Sequence, residues 1–190
     1  MLNDPILKKL IAKYPAPNWT DRSEFLFEDL VETIISQQLS IKAADSIYKR
    51  FKALFETQTF PTPEQLLLIE QGSIRQIGVS TAKAKYIHNV AQAFVNKEIE
   101  IEKIKTMTDE EVINALVQIK GVGKWTAEMI LIFTLNRPDV FSLGDLGLRN
   151  AIKNLYSITN KEDILYLTSS WSPNRSLASW YLWRSLENKT

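Results

Sequence analysis

Apolar residues recur every three or four positions along most of this chain, and almost nowhere at every second position. That periodicity constrains the fold more than any single motif, because it is the spacing of one face of an α-helix. Phe27, Leu30, Val31 and Ile34 mark the inward face of a helix that begins near Ser23. Ser40 is placed to cap a second helix, with Ile41, Ala44, Ile47 and Phe51 inward. Pro61-Thr62-Pro63 breaks the chain before a short helix from Glu64 to Ile69, and Gly72, Gly78 and Ser80 punctuate the stretch beyond it. Ala82 to Val95 carries the stripe Ile87, Val90, Ala91 and Phe94. Thr108-Asp109-Glu110-Glu111 has the form of a capping box, ahead of Val112, Leu116 and Ile119. There is no sustained alternation and no Asn-Gly or Asp-Gly dipeptide to close a β-hairpin. The expectation is an all-α fold.

Composition then removes whole classes of chemistry. With 190 residues, 45% of them apolar, the chain can bury a full core as one domain over 1–190, with room for two lobes around a shared cleft. Zero cysteines exclude disulfides, thiol nucleophiles, cysteine-zinc sites and iron–sulfur clusters together. A lone histidine, His88, argues against a Ser-His-Asp triad or a His-rich metal site. The amino terminus, through Trp19, has no uninterrupted apolar h-region. The longest apolar stretch, Met129 to Phe133 with Leu135, is far too short to span a bilayer. A soluble protein of the cell interior, with no membrane partner, is expected. The 23 lysines and arginines against 22 acidic residues leave a net charge of +1, which argues against a protein that coats nucleic acid.

With only six glycines in the chain, their clustering is informative. In Leu116-Val117-Gln118-Ile119-Lys120-Gly121-Val122-Gly123-Lys124-Trp125-Thr126-Ala127, an amphipathic helix ends at Ile119, a Gly-Val-Gly turn follows, and an apolar helix starts near Lys124. Glycines on both sides of Val122 permit a tight turn and leave the backbone bare. The N–H groups that open the next helix, with Lys120 and Lys124 beside them, suit one phosphate. The same residues also suit a plain αα-turn with solvated lysines. Ile77-Gly78-Val79-Ser80 with Lys83 loosely echoes this turn.

Downstream, Asp139-Val140-Phe141-Ser142-Leu143-Gly144-Asp145-Leu146-Gly147-Leu148 places Asp145 before a helix with Leu148, Ile152 and Leu155 inward. Asp145 is an ordinary N-cap by position. It is also a carboxylate stabilised as an anion by the N–H groups of a helix N-terminus.

Taken together, these segments resemble the helix-hairpin-helix DNA glycosylases, and within them the DNA-3-methyladenine glycosylase II (alkylpurine) branch. The hairpin, the Val-Phe-x-x-x-Asp loop and Ile34-Ile35-Ser36-Gln37-Gln38-Leu39-Ser40 arrive in the family's order, and the likeness runs from about Glu24 to the carboxyl end. The resemblance implies two helical lobes with the active site in the cleft between them. The hairpin would lie within about residues 108–135 and the aspartate loop within about 138–150, without the amino-terminal lobe of larger members.

The resemblance also assigns roles. Asp145 falls at the catalytic aspartate. Lys120, Gly121, Val122, Gly123, Lys124 and Thr126 fall at the hairpin that clamps DNA without regard to sequence. The backbone carbonyls of Val117, Ile119 and Val122 fall where a sodium or potassium ion is often held; no other cofactor is implied. Gln37 and Gln38 fall where the minor groove is probed and the gap left by an extruded base is filled. As residues alone, this polar pair ending an apolar face needs partners, unless it is a helix end with solvated glutamines. Trp125 and Trp183 fall at the base pocket; Trp171 and Trp180, as residues alone, are expected in core packing. Met129 stands where some members have tyrosine, Leu146 replaces an aromatic, and Gln38 stands where some members use an apolar wedge. These departures bear on substrate range.

Trp125 also falls where strand-cleaving members carry a lysine, and tryptophan forms no Schiff base. The implied activity is therefore hydrolysis of the N-glycosidic bond of alkylated purines in double-stranded DNA, by a monomer in the cytoplasm or nucleoid (the nucleus in a eukaryote). Alternatives are a glycosylase for oxidised or deaminated bases, or a helix-hairpin-helix module that binds DNA without cleaving it. Adenine-mismatch and thymine-glycol members usually carry a four-cysteine cluster, which this chain lacks. The small net charge also fits a hairpin that takes one or two phosphates through backbone N–H groups. Between Ile119 and Lys153, five basic residues face three acidic ones, a local +2.

Overall fold

A computed structural model describes residues 3–55 and 60–187. In chain order the α-helices are α1 (Pro5–Lys13), α2 (Leu26–Ser36), α3 (Ile41–Lys52), α4 (Pro63–Leu68), α5 (Gln71–Gln76), α6 (Thr81–Val95), α7 (Ile101–Thr106), α8 (Asp109–Leu116), α9 (Lys124–Met129), α10 (Leu146–Tyr156), α11 (Lys161–Ser169) and α12 (Arg175–Arg184). A π-helical turn, Ile130–Thr134, continues α9. Among the described residues there is no β-strand, so the all-α expectation holds. Among the described residues no helix is long and apolar enough to cross a membrane.

The capping signals act where the sequence puts them. Ser40 accepts from the Ala43 N–H at 3.3 Å, and Ser80 accepts from that of Lys83. Thr108 and Glu111 form the reciprocal box, as do Thr62 and Gln65. The entry to α2 is a 3₁₀ turn, Ser23–Phe25, rather than the helix itself. Gly72 does not punctuate the chain but lies inside α5, where a β-carbon would meet nothing. The helix before the hairpin ends at Leu116, three residues short of Ile119.

Two compact units result. One is Arg22–Ile130, in which α6 packs against α2, α4 and α5, and α9 packs against α2 and α8. Its core includes Leu30, Ile34, Leu66, Ile87 and Leu116, all without solvent exposure. The other unit joins Met1–Asp21 to Leu131–Thr190. There α12 packs against α1 and α10 around Leu7, Leu148, Ile152, Trp171 and Leu182.

Polar side chains fasten this second unit at depth. The Asp4 carboxylate caps α1 and accepts from the Tyr156 hydroxyl (2.9 Å) and the Trp171 indole (3.4 Å). Ser176, almost fully buried, donates to the Arg137 carbonyl (2.6 Å) and accepts from the Val140 N–H (3.0 Å). Both Asp139 oxygens meet the Arg175 guanidinium at 2.8 and 3.0 Å. Segment 137–140 is thereby pinned to α12, which fixes where the following loop can place Asp145.

Candidate active site and nucleic-acid interface

The hairpin between α8 and α9 is shaped by one glycine. Gly121 adopts φ +110°, a conformation an L-residue rarely takes. A β-carbon there would stand 2.1 Å from Cγ of Tyr86, so the α6 ring fills the space a side chain would need. Three residues further along α6, Asn89 donates to the Lys120 carbonyl at 2.8 Å. The Ile119 carbonyl accepts the turn's own bond from the Val122 N–H at 2.9 Å. Val122 is buried. Gly123, the N-cap of α9, is different: its backbone is ordinary (φ −92°) and a β-carbon would meet nothing. Its bareness faces open space, where the first N–H groups of α9 lack partners within the helix. Lys120 and Lys124 are exposed beside it, and Lys124 stands 3.8 Å from the buried Glu128 carboxylate. The echo at Gly78 is real in geometry: it too has positive φ (+101°) in the turn into an N-capped helix.

Thr126 requires a correction. Its side chain is 1% exposed, so the hydroxyl cannot reach a ligand. It accepts instead from Nε2 of Gln37 at 3.0 Å. Gln37 therefore has the partner its position demanded, and that partner is internal. Gln38, next to it, is exposed and sits in the left-handed region at φ +58°. The turn is held from below by Lys83 of α6, whose ammonium donates to the carbonyls of Ile35 (2.9 Å) and Gln37 (2.5 Å). A cation at a helix C-terminus satisfies orphan carbonyls and opposes the dipole. Burial pushes the Lys83 ammonium below its usual range.

In the other unit, Asp145 is the N-cap of α10, as its position predicted. Its Oδ1 accepts from the Leu148 N–H at 2.7 Å and from the Trp183 indole N–H at 3.0 Å. Phe133 packs against the Trp183 ring, centroids 5.5 Å apart, and Trp19 meets Phe133 edge-on at 5.6 Å. All three rings are half-buried. Leu146, at the first position of α10, is 62% exposed. Trp125 and Met129 belong to the hairpin unit, Trp125 half-buried and Met129 only 7% exposed. Trp171 is core, as expected. Trp180 is half-buried, edge-on to Trp19 and under the Arg184 guanidinium. Asp139 is no candidate acid, because Arg175 first and Ser172 second hold its carboxyl below the usual carboxylate range. Among the described residues no group of His, Cys, Asp and Glu could hold a metal ion.

Residues 31–173 match the model of the HhH-GPD superfamily of base excision DNA repair proteins. The chain belongs to this superfamily. It is 37% identical over 183 residues, 94% of this chain and 80% of the relative, to DNA-3-methyladenine glycosylase 1 of Schizosaccharomyces pombe. The structure of 3-methyladenine DNA glycosylase from that organism, in complex with abasic DNA, superposes with TM-score 0.88 at 35% identity. That match covers 96% of this chain and 92% of the other. A DNA-3-methyladenine glycosidase from Bacillus halodurans gives TM-score 0.79 at 33% identity, covering 98% and 91%.

Several residues that shape the superfamily's motifs in this chain escape a reading by periodicity. Lys83, Tyr86 and Asn89 look like solvated or stripe positions of α6, yet each holds a turn of another segment. Phe133 looks like core. The bond from Trp183 to Asp145 spans 38 residues and leaves no local trace.

Proposed function

We propose that this protein is a monofunctional DNA glycosylase of base excision repair, which extrudes alkylated purines from double-stranded DNA and hydrolyses their N-glycosidic bonds. The observation that carries this reading is Asp145: a carboxylate at a helix N-terminus, oriented by the indole of Trp183, in a chain of the HhH-GPD superfamily.

Extrusion costs about a few kcal/mol, least at a damaged pair. Gln38, exposed and preset by its left-handed backbone, is the side chain that enters the gap, with Gln37 anchoring the turn beneath it. Phosphates on one strand meet the N–H groups at the start of α9, with Lys120 and Lys124 alongside. As the glycosidic bond breaks, positive charge develops on the sugar, and the Asp145 carboxylate stabilises it and takes the proton of the attacking water. An O-glycosidase ordinarily needs a second carboxylic acid for the leaving group. A purine alkylated at N3 or N7 is already cationic and leaves neutral, so one carboxylate suffices. The Trp183 face offers such a cation roughly 0.5–2 kcal/mol.

Trp125 cannot form a Schiff base, so the strand is left intact. The monovalent cation implied at the hairpin would be held by the carbonyls of Val117, Ile119 and Val122, near the carboxyl end of α8 where acceptors outnumber N–H donors; it would add positive charge close to the phosphate. Action on DNA places the protein with the genome, in the cytoplasm or nucleoid, or in a nucleus, and it acts as a monomer. The test is incubation with methylated duplex DNA and chromatography of released bases. Release of 3-methyladenine or 7-methylguanine supports the reading, and a chain that binds such DNA while releasing no base is a binding module instead.

A further inference from the structure

Gly147 is the second residue of α10, and its backbone does not call for glycine: its φ lies outside the positive region. Glycine inside a helix costs about 1 kcal/mol relative to alanine, so its presence needs another cause. The surroundings supply one. A β-carbon at Gly147 would stand 3.0 Å from Oδ1 of Asp145, 3.2 Å from Cδ1 of Trp183 and 3.3 Å from its Nε1. All three contacts are tighter than ordinary van der Waals approach; two are to the acceptor and donor of one hydrogen bond, and the third is to the ring carbon beside the donor. The neighbours cannot yield easily. Asp145 is fixed by the Leu148 N–H, and the Trp183 ring is backed by Phe133.

We infer that Gly147 is a positioning residue for the Asp145 carboxylate: its missing side chain is the space through which the Trp183 indole reaches Oδ1. A methyl group there displaces the indole, the carboxylate or both by a few tenths of an ångström and lengthens their bond. The carboxylate then loses a donor that helps fix its rotamer, and a misaimed carboxylate stabilises a developing charge less well. This inference rests on the glycosylase reading, with Asp145 at the reacting centre.

The test compares Gly147→Ala, Trp183→Phe and the double variant with the wild type. Two readouts are taken: single-turnover release of 7-methylguanine at saturating enzyme, and the affinity for duplex DNA carrying an abasic site. Gly147→Ala is expected to slow release at least fivefold, to leave DNA affinity within twofold, and to change the melting temperature little, because the helical gain of alanine offsets the crowding. Trp183→Phe slows release at least as much, and the double variant is no slower than Trp183→Phe alone, since both act through one bond. Release by Gly147→Ala at the wild-type rate overturns the inference, as does a loss matched by equal losses of melting temperature and DNA affinity.

A second measurement does not depend on activity. In ¹H–¹⁵N spectra the Trp183 indole resonance, assigned by its absence in Trp183→Phe, should move and exchange faster with solvent in Gly147→Ala. An unmoved resonance overturns the inference whatever the enzyme does. If the wild type releases no methylated base while the resonance does move, the glycosylase reading fails and the packing role of Gly147 stands.

Discussion

Replacing Gly121 by alanine asks two things of the hairpin that the native chain never has to supply. A non-glycine residue at φ +110° lies beyond even the left-handed α region and carries a backbone cost of roughly 1–3 kcal/mol. Independently, a β-carbon 2.1–2.5 Å from three Tyr86 atoms must reach about 3.5 Å or more, so ring and turn separate by at least about 1 Å. Overpacking of that kind costs about 1–3 kcal/mol. The sum, roughly 2–6 kcal/mol, is a large part of the 5–15 kcal/mol that holds a typical domain together. Urea unfolding followed by circular dichroism and tryptophan fluorescence measures it, and a slope of about 2 kcal/mol per molar puts the midpoint about 1–3 M lower. Tyr86→Ala in the same background should return only the steric share, leaving a coupling energy of about 1–3 kcal/mol between the sites. Gly121→Ala stable to within 0.5 kcal/mol (about the error of such a comparison), or strict additivity with Tyr86→Ala, would refute the account.

The neighbouring glycine should behave oppositely. Gly123→Ala, with an ordinary backbone and open space around the new methyl, should unfold with the wild type, yet bind duplex DNA of any sequence several-fold more weakly at several salt concentrations; unchanged affinity would remove the hairpin from the clamp role. Asp145→Asn keeps a competent N-cap and should melt normally while base release is lost, and an active variant would exclude Asp145 from catalysis. Gln38→Gly relieves a positive φ and should raise stability by up to about 1 kcal/mol while slowing release from matched duplexes; unaltered release would show that Gln38 does not fill the gap. Asp139, held low by Arg175, contributes stability that is complete above the unfolded carboxylate value of about 3.9 and is lost as pH falls through the lower folded value. Arg175→Met should therefore destabilise at pH 7 and flatten the acid-induced loss in melting curves taken from pH 7 to 2; parallel wild-type and variant curves would contradict this.

What the residue pattern discloses is local. The buried faces of α2 and α6, the cap of α10 by Asp145 and the box at Thr108 depend on neighbours three or four positions away, and such spacing is written directly into the chain. α5 and α7 are harder to see. Each is six residues long, too short for a stripe to repeat, and each follows an N-cap residue whose side chain accepts no capping bond. The site was half visible for the same reason. Asp145 and the Gly-Val-Gly turn stand out as unusual residues at unusual places. That Thr126 is sealed against Gln37, or that Trp183 aims its N–H at Asp145, depends on contacts 89 and 38 residues apart. No periodicity carries that distance, and an exposed-looking threonine after a lysine and a tryptophan gives no sign of it.

Lys83, Tyr86 and Asn89 follow one another at intervals of three along α6, one side of a single rod. The first grips the turn after α2, the second lies under Gly121, and the third takes the Lys120 carbonyl. The rod thus sets a gauge: six residues at 1.5 Å per residue space the two grips by about 9 Å. A gauge of this kind tolerates substitution on its outer side but not a change of length. One residue inserted between Lys83 and Asn89 would swing one grip about 100° away from the other, and the turn after α2 would fall out of phase with the hairpin turn between α8 and α9.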